Sequence, residues 1–138
     1  MLDTNVFIDY LRTGLHAGLV AGETRHAVRF LSSVVLLELR LGADTPRRVR
    51  AVAKIGAAFP ASRQVAPAPD LYERAGALFR KLHGAGEGLR DRLGPVNDVL
   101  IALTAWRMGA TVITSNTADF CRIATHLPGL LVAAPDES

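Results

Sequence analysis

The sequence predicts an α/β fold in which a parallel sheet is covered by helices. Short apolar or β-branched runs alternate with longer amphipathic segments along the 138 residues, and strands separated by helical segments favour parallel pairing. A hydrophobic share of 49% at this length suits one compact domain with its own core. We therefore expect a single domain over residues 1–134, followed by a frayed tail at 135–138.

Helix-capping residues mark the elements in the first half of the chain. Ser, Thr, Asp and Asn favour helix N-caps, whereas glycine favours helix C-termini. On this basis we expect Gly42 to end a helix as a glycine C-cap. The predicted elements are a strand stub at 1–2, a helix at 6–11, a helix within 15–28 that breaks near Gly22, a strand at 29–31 and a helix at 34–41.

Proline and glycine mark element boundaries in the second half of the chain. Pro46 and Pro95 open helices, since proline is tolerated in the first helical turn. Residues 84–94 form a glycine-punctuated connection. The predicted elements are a helix at 46–59, a strand at 64–65, a helix at 71–82, a helix at 95–108, a strand at 111–114, a short helical turn at 115–120 and a strand at 130–132.

Composition narrows the class of protein. Charged residues make up 21% and the formal net charge is +3, which excludes a disordered chain but says little about partners. Cys121 is the only cysteine, so we exclude a disulfide framework and expect a reducing cytoplasm. Asp3, Asp9 and Arg12 interrupt any apolar leader, and no run of 18 apolar residues occurs. We therefore expect neither a leader nor a membrane span.

Four carboxylates stand at strand-to-helix junctions, where parallel α/β folds bind ligands. Asp3 follows the first strand, and Glu38 lies one turn into the helix after the second strand. Asp98 lies in the first turn of its helix, and Asp119 follows the 111–114 strand. Carboxylates gathered at one edge repel one another, and such an oxygen-rich cluster binds hard divalent cations such as Mg²⁺.

Polar and basic side chains adjoin these carboxylates. Hydroxyls and amides there could orient ligands or waters, and arginines could contact phosphate. Arg12 and Arg40 are the arginines that we expect to contact substrate. The hydroxyl and amide candidates are Thr4, Asn5, Asn97, Thr114, Ser115 and Asn116.

Each of the four carboxylates also has an ordinary structural explanation. Asp3 suits a helix N-cap, and Asp98 suits the positive end of a helix dipole. Glu38 can form a surface ion pair with a neighbouring arginine. Asp119 fits a common turn after a strand. Spacing alone leaves the metal-site and structural interpretations open.

Four segments resemble, in order, the motifs of PIN domains, a family of metal-dependent nucleases. The resemblance covers nearly the whole chain, and the motifs are most similar to those of VapC and FitB toxins of type II toxin–antitoxin systems. The segments are residues 2–9 with Asp3, residues 33–42 with Glu38, residues 97–102 with Asp98 and residues 109–120 with Asp119.

The resemblance implies a flavodoxin-like, three-layer α/β/α sandwich with a mostly parallel central sheet. It also implies Mg²⁺- or Mn²⁺-dependent cleavage of RNA by metal-activated water. Asp3 and Asp98 would be the core metal ligands, with Glu38 assisting and Asp119 completing the acidic quartet. Asn116 and Thr114 are alternatives at the fourth position, since that motif varies most in the family.

The same resemblance implies a homodimer that is held inactive by a small VapB-like antitoxin. Two other functions stay open: a PIN nuclease in RNA processing, and a catalytically silent PIN-fold binding module. The basic helix face at residues 47–54 lines an RNA path in one interpretation, and faces solvent or an antitoxin in the other.

Overall fold

The computed structural model describes residues 1–22, 28–84 and 93–135. Parts of the predicted 15–28 helix, of the 84–94 connection and of the 135–138 tail lie outside these residues. No helix in the described ranges is both long and apolar enough to cross a membrane. The helices are α1 Thr4–Thr13, α2 Ala17–Ala21, α3 Ser33–Leu41, α4 Pro46–Ala57, α5 Pro69–His83, α6 Leu93–Met108 and α7 Thr117–Ala124, and the strands are β1 Leu31–Ser32, β2 Gln64–Val65, β3 Val112–Ile113 and β4 Val132–Ala133.

All strand pairings in the described residues are parallel. β1 pairs with β2 and β3 pairs with β4, while Leu2 forms a parallel bridge with Ile113 on the other side of β3. The predicted parallel arrangement of strands among helices is therefore confirmed. These short strands form two separate sheets, and one continuous central sheet is not present in the described part of the chain.

Helix α6 is the central helix of the core. From Asn97 to Ala105 every residue is buried except Asp98, which is partly exposed. A helix that is apolar on all sides must be surrounded by other elements, and α6 packs against α5, α3 and α7. Asp98 is therefore held at the margin of the core, with its backbone fixed by packing on three sides.

Helix ends agree with the sequence in part. Gly14, with φ of 76°, ends α1, and its N–H donates to the Tyr10 carbonyl oxygen. The predicted glycine C-cap at Gly42 is confirmed, since this residue ends α3, and with φ of −83° it does so in a right-handed conformation. The predicted 29–31 strand is displaced, since only Leu31 of that segment belongs to β1.

The N-cap of α3 provides a stability test. The buried Ser32 Oγ accepts from the Val34 N–H at 3.1 Å, so Ser32→Ala should lower the free energy of unfolding by about 1 kcal/mol. Urea denaturation measures this loss. Ser33→Ala is the matched control, because Ser33 is exposed in the same turn and surface changes stay within about 0.5 kcal/mol. Equal losses in both variants would show that Ser32 does not act as a cap.

Candidate functional site

Parallel pairing of the N-terminal residues with β3 places Asp3 beside Thr114. The Asp3 N–H donates to the Ile113 carbonyl oxygen at 2.9 Å, and the Ile113 N–H donates to the Met1 carbonyl oxygen at 2.9 Å. Both segments therefore run in one direction and end at the same edge. Asp3 then caps α1, since its Oδ1 accepts from the Thr4 N–H at 2.8 Å.

The Thr114 hydroxyl is the centre of the hydrogen-bond network at this edge. It is fully buried and donates to Asp3 Oδ2 at 2.7 Å. It accepts from Asn5 Nδ2 at 3.2 Å and from the Asn116 N–H at 2.9 Å. A hydroxyl has one proton and two lone pairs, so every hydrogen-bonding position of Thr114 is used. Its single proton is therefore committed to Asp3.

Two further hydrogen bonds extend this network to Glu38 and Asp119. The Thr4 hydroxyl donates to Glu38 Oε1 at 2.7 Å, and Asn116 Nδ2 donates to Asp119 Oδ2 at 2.9 Å. The Ser115 N–H donates to Asn5 Oδ1 at 3.1 Å. An unbroken series of hydrogen-bonded residues thus joins three of the predicted carboxylates, in the order Glu38, Thr4, Asp3, Thr114, Asn116 and Asp119.

Asp98 reaches the same site from α6. Burial, as the largest cause, and the negative charges of Asp3, Glu38 and Asp119 together raise its pKa to about 7. The carboxylates of the other three segments therefore lie close enough to Asp98 to affect its charge. Asp98 is the member of the group whose charge is least compensated by hydrogen bonds.

Burial also raises the pKa values of Asp3 and Glu38. For Asp3, hydrogen bonds from Thr114 and the Thr4 N–H oppose the effect of burial. For Glu38, the charge of Asp3 raises the pKa further, while the Thr4 hydroxyl and the Asn97 amide lower it. The hydrogen bonds that lower these two pKa values thus come from neutral donors.

Asn97 has a buried donor that no described residue satisfies. The residue is 4% exposed, and its Nδ2 makes no hydrogen bond by geometry, although the amide lies near enough to Glu38 to lower the pKa of that carboxyl. An unpaired buried donor costs about 1–3 kcal/mol. Such groups are most often explained by a water or ligand, which suits a binding site beside Glu38.

The donor set fits a hard divalent cation. Its oxygens come from carboxylates, hydroxyls and amides, which are the ligand types that Mg²⁺ and Mn²⁺ prefer. Within the described ranges, no three His, Cys, Asp or Glu side chains are close enough to enclose an ion by themselves. Mg²⁺ usually takes one or two carboxylates and completes its shell with water and phosphate oxygens, so a closed cage is not required.

A wide groove begins at Glu38 and runs between α1, α3 and α4. It encloses about 730 Å³, and its lining includes Arg12 but not Arg40. Arg40 is exposed on α3. The lining residues are Ile8, Leu11, Arg12, Glu38, Leu39, Gly42, Ala43, Thr45, Arg47, Arg48, Ala51 and Val52.

A small cavity lies beside Asp98 and Asp119. It encloses about 50 Å³ and is lined by Asp98, Asp119, His83 and Arg122 together with apolar residues. Sequence reasoning did not select His83 or Arg122 for the site. Arg122 follows Asp119 by three residues on α7, a spacing that places both on one helix face. His83 comes from the end of α5, and no local signal links it to Asp98.

Residues 1–125 match the PIN domain. The chain belongs to the PIN domain family. Its fold is similar to that of FitAcB from Neisseria gonorrhoeae, with 25% identity, a TM-score of 0.64 and coverage of 97% of this chain and 96% of that chain. VapBC2 from Rickettsia felis, bound to a DNA fragment from its promoter, has 24% identity, a TM-score of 0.64 and coverage of 99% and 98%.

VapBC-1 from nontypeable Haemophilus influenzae is a further similar structure, with 21% identity, a TM-score of 0.66 and coverage of 97% of this PIN domain and 96% of that chain. No curated protein sequence matches the chain. The PIN domain and its likeness to these toxin–antitoxin structures confirm the family that the sequence motifs indicated.

The Thr114 hydroxyl gives a test of the network in this PIN domain. Thr114→Val keeps the side-chain volume but leaves Asp3, Asn5 and Asn116 without their shared partner. Its free energy of unfolding should fall by about 2–3 kcal/mol in urea denaturation, because a buried charged acceptor loses its donor. Thr114→Ser retains the hydroxyl and should keep most of the stability. A larger loss in Thr114→Ser than in Thr114→Val would show that methyl packing contributes more than the hydroxyl.

The pKa of Asp98 predicts a pH-dependent stability. A carboxyl with a raised folded-state pKa binds its proton more tightly when folded, so its contribution to stability falls as pH rises from about 4 to about 7. In EDTA, Asp98→Asn should therefore be more stable than the parent at pH 8 by about 2 kcal/mol, a value reduced for partial exposure. The difference should vanish near pH 4.

Asp44→Asn is the matched control for that experiment. Asp44 is an exposed carboxylate whose partner is Arg48 on the surface, and surface ion pairs contribute little. Its stability relative to the parent should change by less than about 0.5 kcal/mol across the same pH range. A loss of stability at pH 8 in Asp98→Asn would contradict the interpretation that the folded chain carries an uncompensated negative charge on Asp98.

Proposed function

We propose that this PIN domain is a divalent-metal-dependent ribonuclease and the toxin component of a toxin–antitoxin pair. The observation that carries the proposal is the hydrogen-bonded series from Glu38 through Asp3 to Asp119, with Asp98 coupled to all three by charge. PIN domains are generally nucleases, and the similar structures are VapBC and FitAB complexes.

In this proposal, Asp3 and Asp98 hold the ion, Mg²⁺ or Mn²⁺, while Glu38 assists. Asp119 is the fourth residue, with Asn116 fixing its orientation through the hydrogen bond from Nδ2. The ion would supply an activated water and stabilise the leaving oxygen of an RNA phosphodiester. The products would be a 5′-phosphate and a 3′-hydroxyl.

The residues of the chain itself hold the carboxylates in place before any ion binds. Thr4 contacts two of them, donating from its hydroxyl to Glu38 and from its backbone N–H to Asp3. Thr114 fixes the second oxygen of Asp3. A preorganised set of oxygens loses little entropy when an ion binds. The amide of Asn97 is placed to orient a water or the second oxygen of Glu38.

The proposal includes an antitoxin partner and a homodimer, and it places the protein in the cytoplasm. It also includes a three-layer α/β/α arrangement of this fold.

The groove between α1, α3 and α4 is lined by apolar residues that include Ile8 and Val52, and by basic residues that include Arg12. Such a groove suits an amphipathic segment of an antitoxin that ends near Glu38. Arg12 would then contact RNA when the antitoxin is absent, and Arg40 would extend that contact along the exposed side of α3.

The ribonuclease proposal is tested by mapping RNA ends. Purified chain should cut RNA in Mg²⁺ or Mn²⁺, create new 5′-phosphate ends and lose activity in EDTA. Asp3→Asn and Asp98→Asn should each lower kcat/KM by about 100-fold or more, because each removes a charge that holds the ion. Asp70→Asn is the control, since Asp70 pairs with Arg107 on an exposed surface, and its activity should match the parent.

The alternative functions give different results in the same assays. A catalytically silent binding module would bind RNA or a partner but produce no new ends in either metal. An RNA-processing nuclease would cut, but its expression alone would not arrest growth. Cleavage that is unchanged in Asp98→Asn would exclude the metal-ion mechanism.

A further inference from the structure

The small cavity between α5, α6 and α7 is lined by side chains of both charge signs. Arg122 and His83 border it together with Asp98 and Asp119. Neutral donors hold Asp3 and Glu38 through hydrogen bonds. The cavity instead places a permanent positive charge, that of Arg122, beside two of the site carboxylates.

Arg122 is available to bind a ligand. The residue is exposed, and among the described residues its guanidinium forms no ion pair with a carboxylate. It lies on α7, and Phe120 and Ile123 anchor this helix because both are buried. Arginine presents its donors in a planar fork that matches two oxygens of a phosphate. Helix α7 is therefore fixed in place, and it holds an anion-binding group beside two carboxylates.

The size of the cavity decides what class of group can enter. Its volume of about 50 Å³ exceeds the roughly 10–15 Å³ that one water needs. It is far below the roughly 300–1,000 Å³ of pockets that enclose a drug-sized ligand. A single tetrahedral oxyanion is of the right scale, whereas a nucleoside is too large to be enclosed.

The walls of the cavity are consistent with a fixed subsite. The His83 ring packs against Phe79, with their centroids 4.7 Å apart, so the histidine is positioned by a core residue of α5. Leu82 and Ile123 supply apolar wall, and apolar surroundings strengthen charge-assisted hydrogen bonds. Because Arg122 and His83 border the same cavity as the carboxylates of Asp98 and Asp119, the cavity suits an anion that bridges toward a cation held by those carboxylates.

We propose that this cavity is an RNA phosphate subsite, in which the Arg122 guanidinium binds the non-bridging oxygens of a backbone phosphodiester and His83 borders the same group. The inference rests on the proposed ribonuclease function, because the bound ion on Asp3 and Asp98 offsets the repulsion between the carboxylates and the phosphate. Arg122 supplies a positive charge beside Asp98 and Asp119. The phosphate would then bind Arg122 in the cavity next to these carboxylates.

The subsite is tested by RNA binding rather than by cleavage. Fluorescence anisotropy would follow a labelled single-stranded RNA in Ca²⁺, with a denaturing gel to verify that the RNA stays intact, at several concentrations of salt. Arg122→Gln should weaken binding about tenfold, which is typical of one lost charge-assisted hydrogen-bonded contact. The slope of log K against log salt should fall in magnitude by about 0.7, the value for one phosphate contact on a single strand.

Two other variants separate the role of Arg122 from general effects of charge. Arg122→Lys keeps the charge but not the fork, so its salt slope should match the parent while its affinity falls by a smaller factor. Arg107→Gln also removes one positive charge, but Arg107 lies at the opposite end of α6 from Asp98, where it pairs with Asp70. The salt slope and the RNA affinity of Arg107→Gln should match those of the parent. Thermal unfolding of all three variants should stay near that of the parent, because both arginines are exposed.

The outcomes distinguish this inference from the proposed function. If Arg122→Gln and Arg107→Gln behave alike, or if the parent binds no RNA, the subsite is overturned. If the parent cuts RNA while Arg122→Gln binds like the parent, only the subsite fails. If the Arg122 effects appear but no RNA is cut in Mg²⁺ or Mn²⁺, the ribonuclease proposal fails and the phosphate site stands. Loss of antitoxin capture without loss of RNA binding in Arg122→Gln would assign the cavity to a protein partner and overturn the subsite.

Discussion

The parallel pairing of residues 1–3 with β3 is the interaction on which the arrangement of the site depends. Its register places Asp3 opposite Thr114, where one buried hydroxyl can donate to the carboxylate and accept two N–H groups. A slip of one residue would turn Asp3 to the other face of the sheet. Thr4 directly follows Asp3, and the Asn116 N–H donates to Thr114 from two residues further along, so the same register also positions the partners of Glu38 and Asp119. Hydrophobic burial of Met1 and Leu2 holds the register in place.

The buried carboxylates of the site lower the stability of the fold that holds them. Burial raises the pKa values of Asp3, Glu38 and Asp98, and repulsion from neighbouring carboxylates adds to it for Glu38 and Asp98, which is the pattern expected where function is favoured over stability. The buried, apolar body of α6 offsets this cost, since its packing against three other helices fixes the backbone of Asp98. Any ligand that brings positive charge to the carboxylates should therefore stabilise the folded chain.

Local signals explain which parts of the fold the sequence could predict. Ser32 and Gly14 mark helix ends through short-range hydrogen bonds and backbone conformation, so these ends were readable from residue type. Gly42 likewise ends α3 as its residue type indicates, although it does so in a right-handed conformation. The extent of β1 was misplaced, because two-residue strands depend on pairing partners far away in the chain. The single central sheet was expected from the family, yet the described strands form two separate pairs.

The sequence by itself determined the family and singled out four candidate carboxylates, because each motif that resembles PIN domains lies within one short segment of neighbouring residues. Tertiary structure alone decided how those segments interact: that Thr114 binds Asp3, that Arg12 lines the groove while Arg40 does not, and that His83 and Arg122 face Asp98. The physical reason is distance along the chain. His83 and Asp119 lie on separate helices that only the packing of α5, α6 and α7 brings together, and no local periodicity encodes that packing.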